Sequence, residues 1–231
     1  MRLSLLRSLA IFAVVGPFIF AAPAWCATVI DSFDLNSNTL TTTGPPSSQS
    51  QPITIAGNPA TRTLSASSNG AMTQTVVNAG EFDFASIPGG GVGSTEYSDF
   101  SLDASTTPYL RLSIGSTLNA GMAEIGLTSS TAPGVLALLA PIPAGISSPT
   151  DLHFDLRTFA GYQPGFLTSV VSLAIAFTSA TSSDYFLKVQ AISLVTEDEF
   201  GASLPEPSLI ALAVPTALLS FSRRRQRTAL R

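Results

Sequence analysis

Cysteine, histidine, tryptophan and lysine are almost missing from these 231 residues. The chain has one cysteine, one histidine and one tryptophan, and Lys188 is its only lysine. Each scarcity excludes something. Cys26 alone cannot form an intrachain disulfide, so the fold must be held by core burial. His153 with Cys26 falls short of a zinc ligand set, which draws on several such side chains. There is no cysteine nucleophile in the body and no Gly-x-Ser-x-Gly, so a nucleophile–base pair has no sequence support. Positive charge is also scarce where it would matter. Between residues 28 and 204 the chain carries four basic residues (Arg62, Arg111, Arg157, Lys188) against fourteen acidic ones, a formal balance of −10. Phosphate attraction needs a basic surface, so nucleic acid is excluded as a partner.

What is abundant lies first at the two ends. Arg2 and Arg7 precede an apolar and small-residue run from Leu9 to Phe20, and Ala21-Ala22-Pro23-Ala24-Trp25-Cys26-Ala27 follows. A charged start, a short apolar stretch and a small-residue exit read as a secretory signal peptide over residues 1–27, cut between Ala24 and Ala27. At the other end, Pro205-Glu206-Pro207 is followed by an apolar run from Leu209 to Phe221 and a basic tail with Arg223, Arg224, Arg225 and Arg227. As a helix, the stretch from Ser208 to Ser222 would reach roughly 22 Å against a hydrocarbon core of about 30 Å. Pro215 sits in its middle, where it would kink a helix. This predicts one short C-terminal transmembrane helix suited to transient retention, with the arginines kept cytoplasmic.

The ordered triplet of Pro205-Glu206-Pro207, apolar segment and arginine cluster resembles a PEP-CTERM sorting signal, the substrate of the membrane protease-transpeptidase exosortase. Leu204 stands where that family often has valine, and Pro215 and Thr216 make the span less uniform than usual. The resemblance implies export, transient anchoring in the inner membrane and cleavage near the tripeptide. It further implies delivery to the cell surface or extracellular matrix of a Gram-negative-type bacterium, with exosortase and the export machinery as partners. Physically, two prolines hold the site extended and outside the helix, which suits a protease cleft.

The body between these ends alternates with period two. Leu110, Leu112 and Ile114 share one face, and Leu173, Ile175 and Phe177 share another with alanines opposite. Leu187-Lys188-Val189-Gln190-Ala191 alternates until Ile192 and Leu194 shift the phase by one residue, as a β-bulge would. Further strands are expected at Thr28–Phe33, Arg62–Ala66, Met72–Val77, Met122–Thr128, Val135–Leu139 and Leu152–Leu156. Gly, Pro and Asn clusters separate them, such as Gly44-Pro45-Pro46, Gly57-Asn58-Pro59 and Pro133-Gly134. Short strands with turns every ~8–12 residues predict an all-β sandwich or barrel over residues 28–196. Residues 36–51 read as a mobile loop, 89–93 as a flexible turn, and 197–204 as a polar linker to the sorting signal at 205–231. The order of Val29-Ile30-Asp31-Ser32-Phe33-Asp34, Thr61-Arg62-Thr63-Leu64 and Phe154-Asp155-Leu156-Arg157-Thr158-Phe159 is similar to other sorted surface proteins. Their bodies resemble carbohydrate-binding-module jelly rolls, which implies a jelly-roll-like β-sandwich here.

Candidate chemistry is sparse. His153 falls opposite Leu152, Phe154 and Leu156, as an exposed or hydrogen-bonded strand histidine. Asp31 with Asp34, Glu96 with Asp99, or Asp151 with Asp155 could pair as a glycosidase's carboxyls or supply oxygens to calcium, though none has a diagnostic spacing. Tyr97, Tyr109, Tyr162 and Tyr185, with Phe159 and Phe166, are candidates for a sugar-stacking platform. No catalytic residue, no metal site and no cofactor is assigned, with calcium the one ion left open. The expected protein is an exported, exosortase-processed, non-enzymatic component of the cell surface or extracellular polysaccharide matrix. A carbohydrate-binding module is the alternative, and a glycoside hydrolase or other extracellular hydrolase comes third.

Overall fold

The computed structural model describes residues 27–34, 37–68, 72–180 and 182–202. Residues 1–26 of the expected signal peptide lie outside the described residues, as do Pro205, Glu206, Pro207, the apolar run and the arginine tail. No helix among the described residues is long and apolar enough to cross a membrane.

The body is an all-β sandwich of two antiparallel sheets. Seven strands form the first sheet: β1 (Thr28–Asp31), β2 (Asn38–Thr42), β5 (Met72–Asn78), β6 (Glu81–Ile87), β8 (Tyr109–Thr117), β11 (Thr150–Asp155) and β13 (Tyr185–Val195). Six form the second: β3 (Ser47–Ile55), β4 (Asn58–Ser67), β7 (Val92–Ser98), β9 (Gly121–Ser129), β10 (Val135–Ile142) and β12 (Val170–Ser179). The first sheet runs β11-β8-β13-β6-β5-β2, with β1 beside β13, and the second runs β10-β9-β12-β7-β4-β3. Because the chain passes repeatedly from one sheet to the other, most connections clamp the two layers together.

Alternation decides which side chains meet between the sheets. Leu173, Ile175 and Phe177 of β12, Ile125 and Leu127 of β9, Phe82 and Phe84 of β6, and Leu110, Leu112 and Ile114 of β8 all point inward and are buried. Phe82 links Phe33 and Phe177 at centroid distances of 5.8 and 5.7 Å, a run of rings bridging both layers. Each such residue contributes about 1.5–3 kcal/mol of burial, which is how a body without disulfides stays folded. The phase shift expected in β13 is present, because its register against β8 slips between Val189 and Ala191. Ile192 and Leu194 therefore return to the core.

Three expectations are corrected. Residues 38–42 and 47–51 are strand and not mobile loop, lying in β2 and β3 at one edge of each sheet. Edge strands bury one face at most, so a run of Ser, Thr and Gln suffices, and Pro52 stands where a missing N–H is tolerated. The β3–β4 hairpin turns on Ala56 and Gly57, both with positive φ (50° and 81°), the twist that two-residue hairpins demand. Secondly, β6 and β7 occupy stretches with no expected strand, and residues 89–93 are not merely a flexible turn. Gly93 lies within β7, and a Cβ there would sit 2.4 Å from Phe84 Cδ2 of the opposite sheet. The glycine is a packing requirement. Thirdly, the linker expected from residue 197 begins as a helix, α1 (Glu197–Ala202).

Replacing Gly93 by Ala is therefore expected to destabilise the fold by about 1–3 kcal/mol through overpacking. At Gly126 an added Cβ meets nothing closer than 3.7 Å, and Ala is expected to leave stability within about 0.5 kcal/mol. Urea denaturation of the two variants checks the contrast; equal losses would contradict the close approach of β7 to Phe84.

Candidate functional site

Arg62 is fully buried, the one charged side chain among the described residues with no exposure. Its parity in β4 matches Leu64 and Ala66, so the strand delivers a guanidinium into the space between the sheets. It donates from Nη1 to Asp31 Oδ2 at 2.8 Å and from Nη2 to Gln51 at 2.9 Å. Tyr97 of β7 donates its hydroxyl to the same Asp31 oxygen at 3.0 Å. Burial, then the neighbouring Asp31 carboxylate, holds the Tyr97 phenol well above its usual range, so it stays a donor. Asp31 Oδ1 accepts from the Phe33 N–H at 2.7 Å. That bond goes with the left-handed backbone at Phe33 (φ 57°), whose ring lies beneath Arg62.

This network occupies one member of the first carboxylate pair: a guanidinium, a phenol and an amide already donate to Asp31. Asp155 is likewise engaged, bound by Arg157 Nε at 2.8 Å, and that hydrogen bond lowers the Asp155 carboxyl below its usual range. Asp151 accepts from Ser113 Oγ at 2.6 Å, and Asp99 Oδ2 accepts from Ser98 Oγ at 3.1 Å. Among the described residues no three or more His, Cys, Asp or Glu gather as a metal site would require.

The aromatic candidates divide sharply. Tyr97, Tyr185, Phe159 and Phe166 are core residues. Tyr162 is half-buried and lines a cleft of about 90 Å³ with Arg157, Pro108 and Leu167. Tyr109 points out of the first sheet, since Leu110 and Leu112 point in, yet it is only 4% exposed. Phe200 of α1 lies parallel to it, centroids 4.5 Å apart and planes 5° apart, with His153 edge-on to Phe200 at 5.6 Å. A reciprocal capping pair starts α1: Thr196 N–H donates to the Glu199 carboxylate at 3.0 Å, and Glu199 N–H to the Thr196 hydroxyl at 3.3 Å. Thr196-Glu197-Asp198-Glu199 carried this start signal in the sequence.

The outer face of the second sheet holds a different feature. A furrow of about 300 Å³ crosses β7, β9, β10 and β12. Its floor follows from the outward residues that register aligns: Ala137 opposite Gly126, Gly126 opposite Ala174, and Ala174 opposite Glu96. One step along, Leu139 pairs with Glu124, Glu124 with Ala176, and Ala176 with Ser94. Small side chains make the trough, and the exposed carboxylates of Glu96 and Glu124 stand beside it. Val135 and Leu139, 55% and 64% exposed, form an apolar flank on β10. Of these residues only Glu96 was a sequence candidate. Glu124 was missed because its partner is two strands away, a relation that spacing along the chain cannot express.

No protein-family model matches the sequence, and no curated protein matches it. Among solved structures, the chain is similar to the family 11 carbohydrate-binding module of the cellulosomal cellulase Lic26A-Cel5E of Clostridium thermocellum. The likeness has 17% identity, covers 75% of this chain and 96% of that one, and has a TM-score of 0.39. The Clostridium thermocellum module in complex with a β-1,3-1,4-mixed-linked tetrasaccharide overlaps at 16% identity, 74% and 96% coverage and a TM-score of 0.36. An exo-β-agarase overlaps at 10% identity and a TM-score of 0.39, with 74% of this chain matched to 25% of that one.

Arg62→Ala and Asp31→Ala are each expected to cost about 3–5 kcal/mol, because each leaves a buried charge unpaired. The double variant should cost less than their sum by more than about 1 kcal/mol in a denaturant-based cycle. Additive losses would contradict a direct pair.

Proposed function

We propose that this chain is an exported, non-enzymatic polysaccharide-binding protein of the cell surface or extracellular matrix. Its contact face is the furrow on the outer side of the second sheet. The furrow is the observation that carries this reading. A floor of Gly126, Ala137, Ala174 and Ala176 offers a flat apolar surface to the C–H face of a sugar ring. Glu96 and Glu124 offer carboxylate oxygens, which accept strong hydrogen bonds from hydroxyl pairs. Being open along its length, such a trough suits an extended chain better than a small molecule enclosed on all sides. The two-sheet sandwich agrees with this use, since it leaves the outer face of the second sheet free.

The same carboxylates do not favour hydrolysis. Glu96 and Glu124 lie two strands and two residues apart, roughly 12 Å by strand and residue spacing. Side chains stand roughly perpendicular to a sheet, whereas a glycosidase's carboxyls lie about 5–9.5 Å apart. Delivery belongs to the same proposal: the signal peptide leads to export, and exosortase acts near Pro205-Glu206-Pro207 after transient anchoring in the inner membrane.

Two measurements test this reading. In affinity electrophoresis, the full chain is expected to be retarded by at least one of a set of soluble neutral and acidic polysaccharides. Ala174→Phe, which fills the trough, should weaken that retardation at least tenfold without lowering Tm. No retardation by any of them would overturn the binding reading, and release of reducing ends lost in Glu124→Gln would replace it with hydrolysis. Intact mass of the native protein checks the sorting reading. An end near Pro205 is expected, and a mass that includes Arg223–Arg231 would contradict it.

A further inference from the structure

The outer face of the first sheet carries a patch that its own position does not explain. Tyr109, Ser193 and Val195 point outward, because Leu110, Leu112, Ile192 and Leu194 fill the core positions between them. All three are nonetheless under 5% exposed. Register places Tyr109 between Asp155 and Val195, and Arg111 between His153 and Ser193. The result is an aromatic and aliphatic floor with a rim of hydrogen-bonding groups. Arg157 donates to the Tyr109 hydroxyl from Nη2, 2.6 Å away. Arg111 Nε reaches Ser193 at 2.9 Å, and Asp151, Asp155 and His153 complete the rim. A flat ring with donors and acceptors at its edge is what a pyranose requires. No such platform exists in the furrow.

The cover over this floor is slight. A helix of six residues is far below the length that is stable by itself in water. α1 therefore depends on its capping pair and on Phe200. Its ion pair to the body, Arg157 Nη1 to Glu197 at 3.9 Å, involves a glutamate that is 74% exposed and adds little. The contacts that tie α1 to the body include the half-buried Phe200 ring and this weak ion pair, and segments tied in this way open at lower free-energy cost than the core. The ring of Phe200 lies flat on Tyr109 in the place and orientation in which a sugar ring would stack.

We propose that the Tyr109–His153 corner is a second saccharide-binding site, filled in this structure by Phe200 of the same chain and opened when α1 lifts away. It rests on the polysaccharide-binding reading for its ligand class, but on none of the furrow's residues. Acid assists the opening. Burial holds the His153 imidazole below its ordinary range; Asp151 and Glu199 pull upward against it and Arg111 adds to the lowering. The covered form thus binds the proton less well than the open form. Its advantage is full above the ordinary histidine value of about 6.5 and declines as pH falls through the lowered one.

A single histidine makes the test direct. The untagged full chain contains one imidazole, so its ring C–H signals in proton NMR report on this corner alone. Phe200→Ala is expected to raise the His153 titration midpoint toward its ordinary value. Hexasaccharides of β-1,4-glucan, β-1,3-glucan, β-1,4-mannan and alginate serve as probes. At least one should shift the signal in Phe200→Ala with an apparent affinity tenfold or more tighter than in the parent chain, and adding Tyr109→Ala should abolish the response. Thr196→Ala, which removes half the capping pair and leaves the platform intact, should give a smaller response of the same kind and guards against misfolding of the first variant. An unchanged titration in both variants would refute the cover. A raised midpoint with no response to any probe would refute the sugar site. The furrow is judged separately: Ala174→Phe combined with Phe200→Ala should lose gel retardation through the furrow but keep the His153 response. A response lost with it would overturn the independence of the two sites. Loss of retardation in the parent with no His153 response in any variant would remove the polysaccharide reading itself.

Discussion

Arg62 reaches from the second sheet into the space between the layers and meets Asp31, which belongs to the first. Much of the remaining architecture depends on that meeting. A guanidinium cannot be left alone in an apolar interior, so β1 must return to it and present Asp31 at the end of a four-residue strand. Once there, Asp31 fixes the Phe33 turn, and Phe33 begins the ring sequence through Phe82 to Phe177. Tyr97 and Gln51 bring β7 and the edge strand β3 into the same network. A body with no disulfide thereby gains a directional link between its layers, where hydrophobic contact alone would leave their relative placement looser.

The same network accounts for the Asp31 carboxylate. A carboxylate near the start of a β-protein invites a calcium or catalytic reading, but an arginine whose parity matches Leu64 and Ala66 already binds it. That parity was present in the sequence as Arg62-Thr63-Leu64-Ser65-Ala66. Strands β8, β9, β12 and β13, bulge included, were legible because their inward residues are large and apolar. Strand β7 was not, because its inward positions hold Gly93, Thr95 and Tyr97, which suit a close sheet approach and a buried arginine and carry no apolar alternation. Strands β2 and β3 were hidden for the opposite reason: an edge needs so little burial that its composition matches that of a loop. The capping sequence before α1 was readable, but Phe200's partner Tyr109 lies ninety-one positions earlier and only the fold joins them.

With the interior accounted for, the two outer faces differ in kind. The second sheet presents small residues and two glutamates in an open trough, available to an extended chain without any rearrangement. The first sheet presents an aromatic corner that α1 covers. On the proposed reading, an arrangement of this type gives one standing contact and one conditional contact.

Amide shift mapping of the isotope-labelled full chain with a soluble polysaccharide that retards it decides whether the furrow is the contact face. Changes are expected to centre on Ser94, Glu96, Glu124, Gly126, Ala137, Ala174 and Ala176, with β2, β5 and β6 unaffected. Changes confined to the first sheet would contradict that placement, as would a chain that meets every polysaccharide without any change.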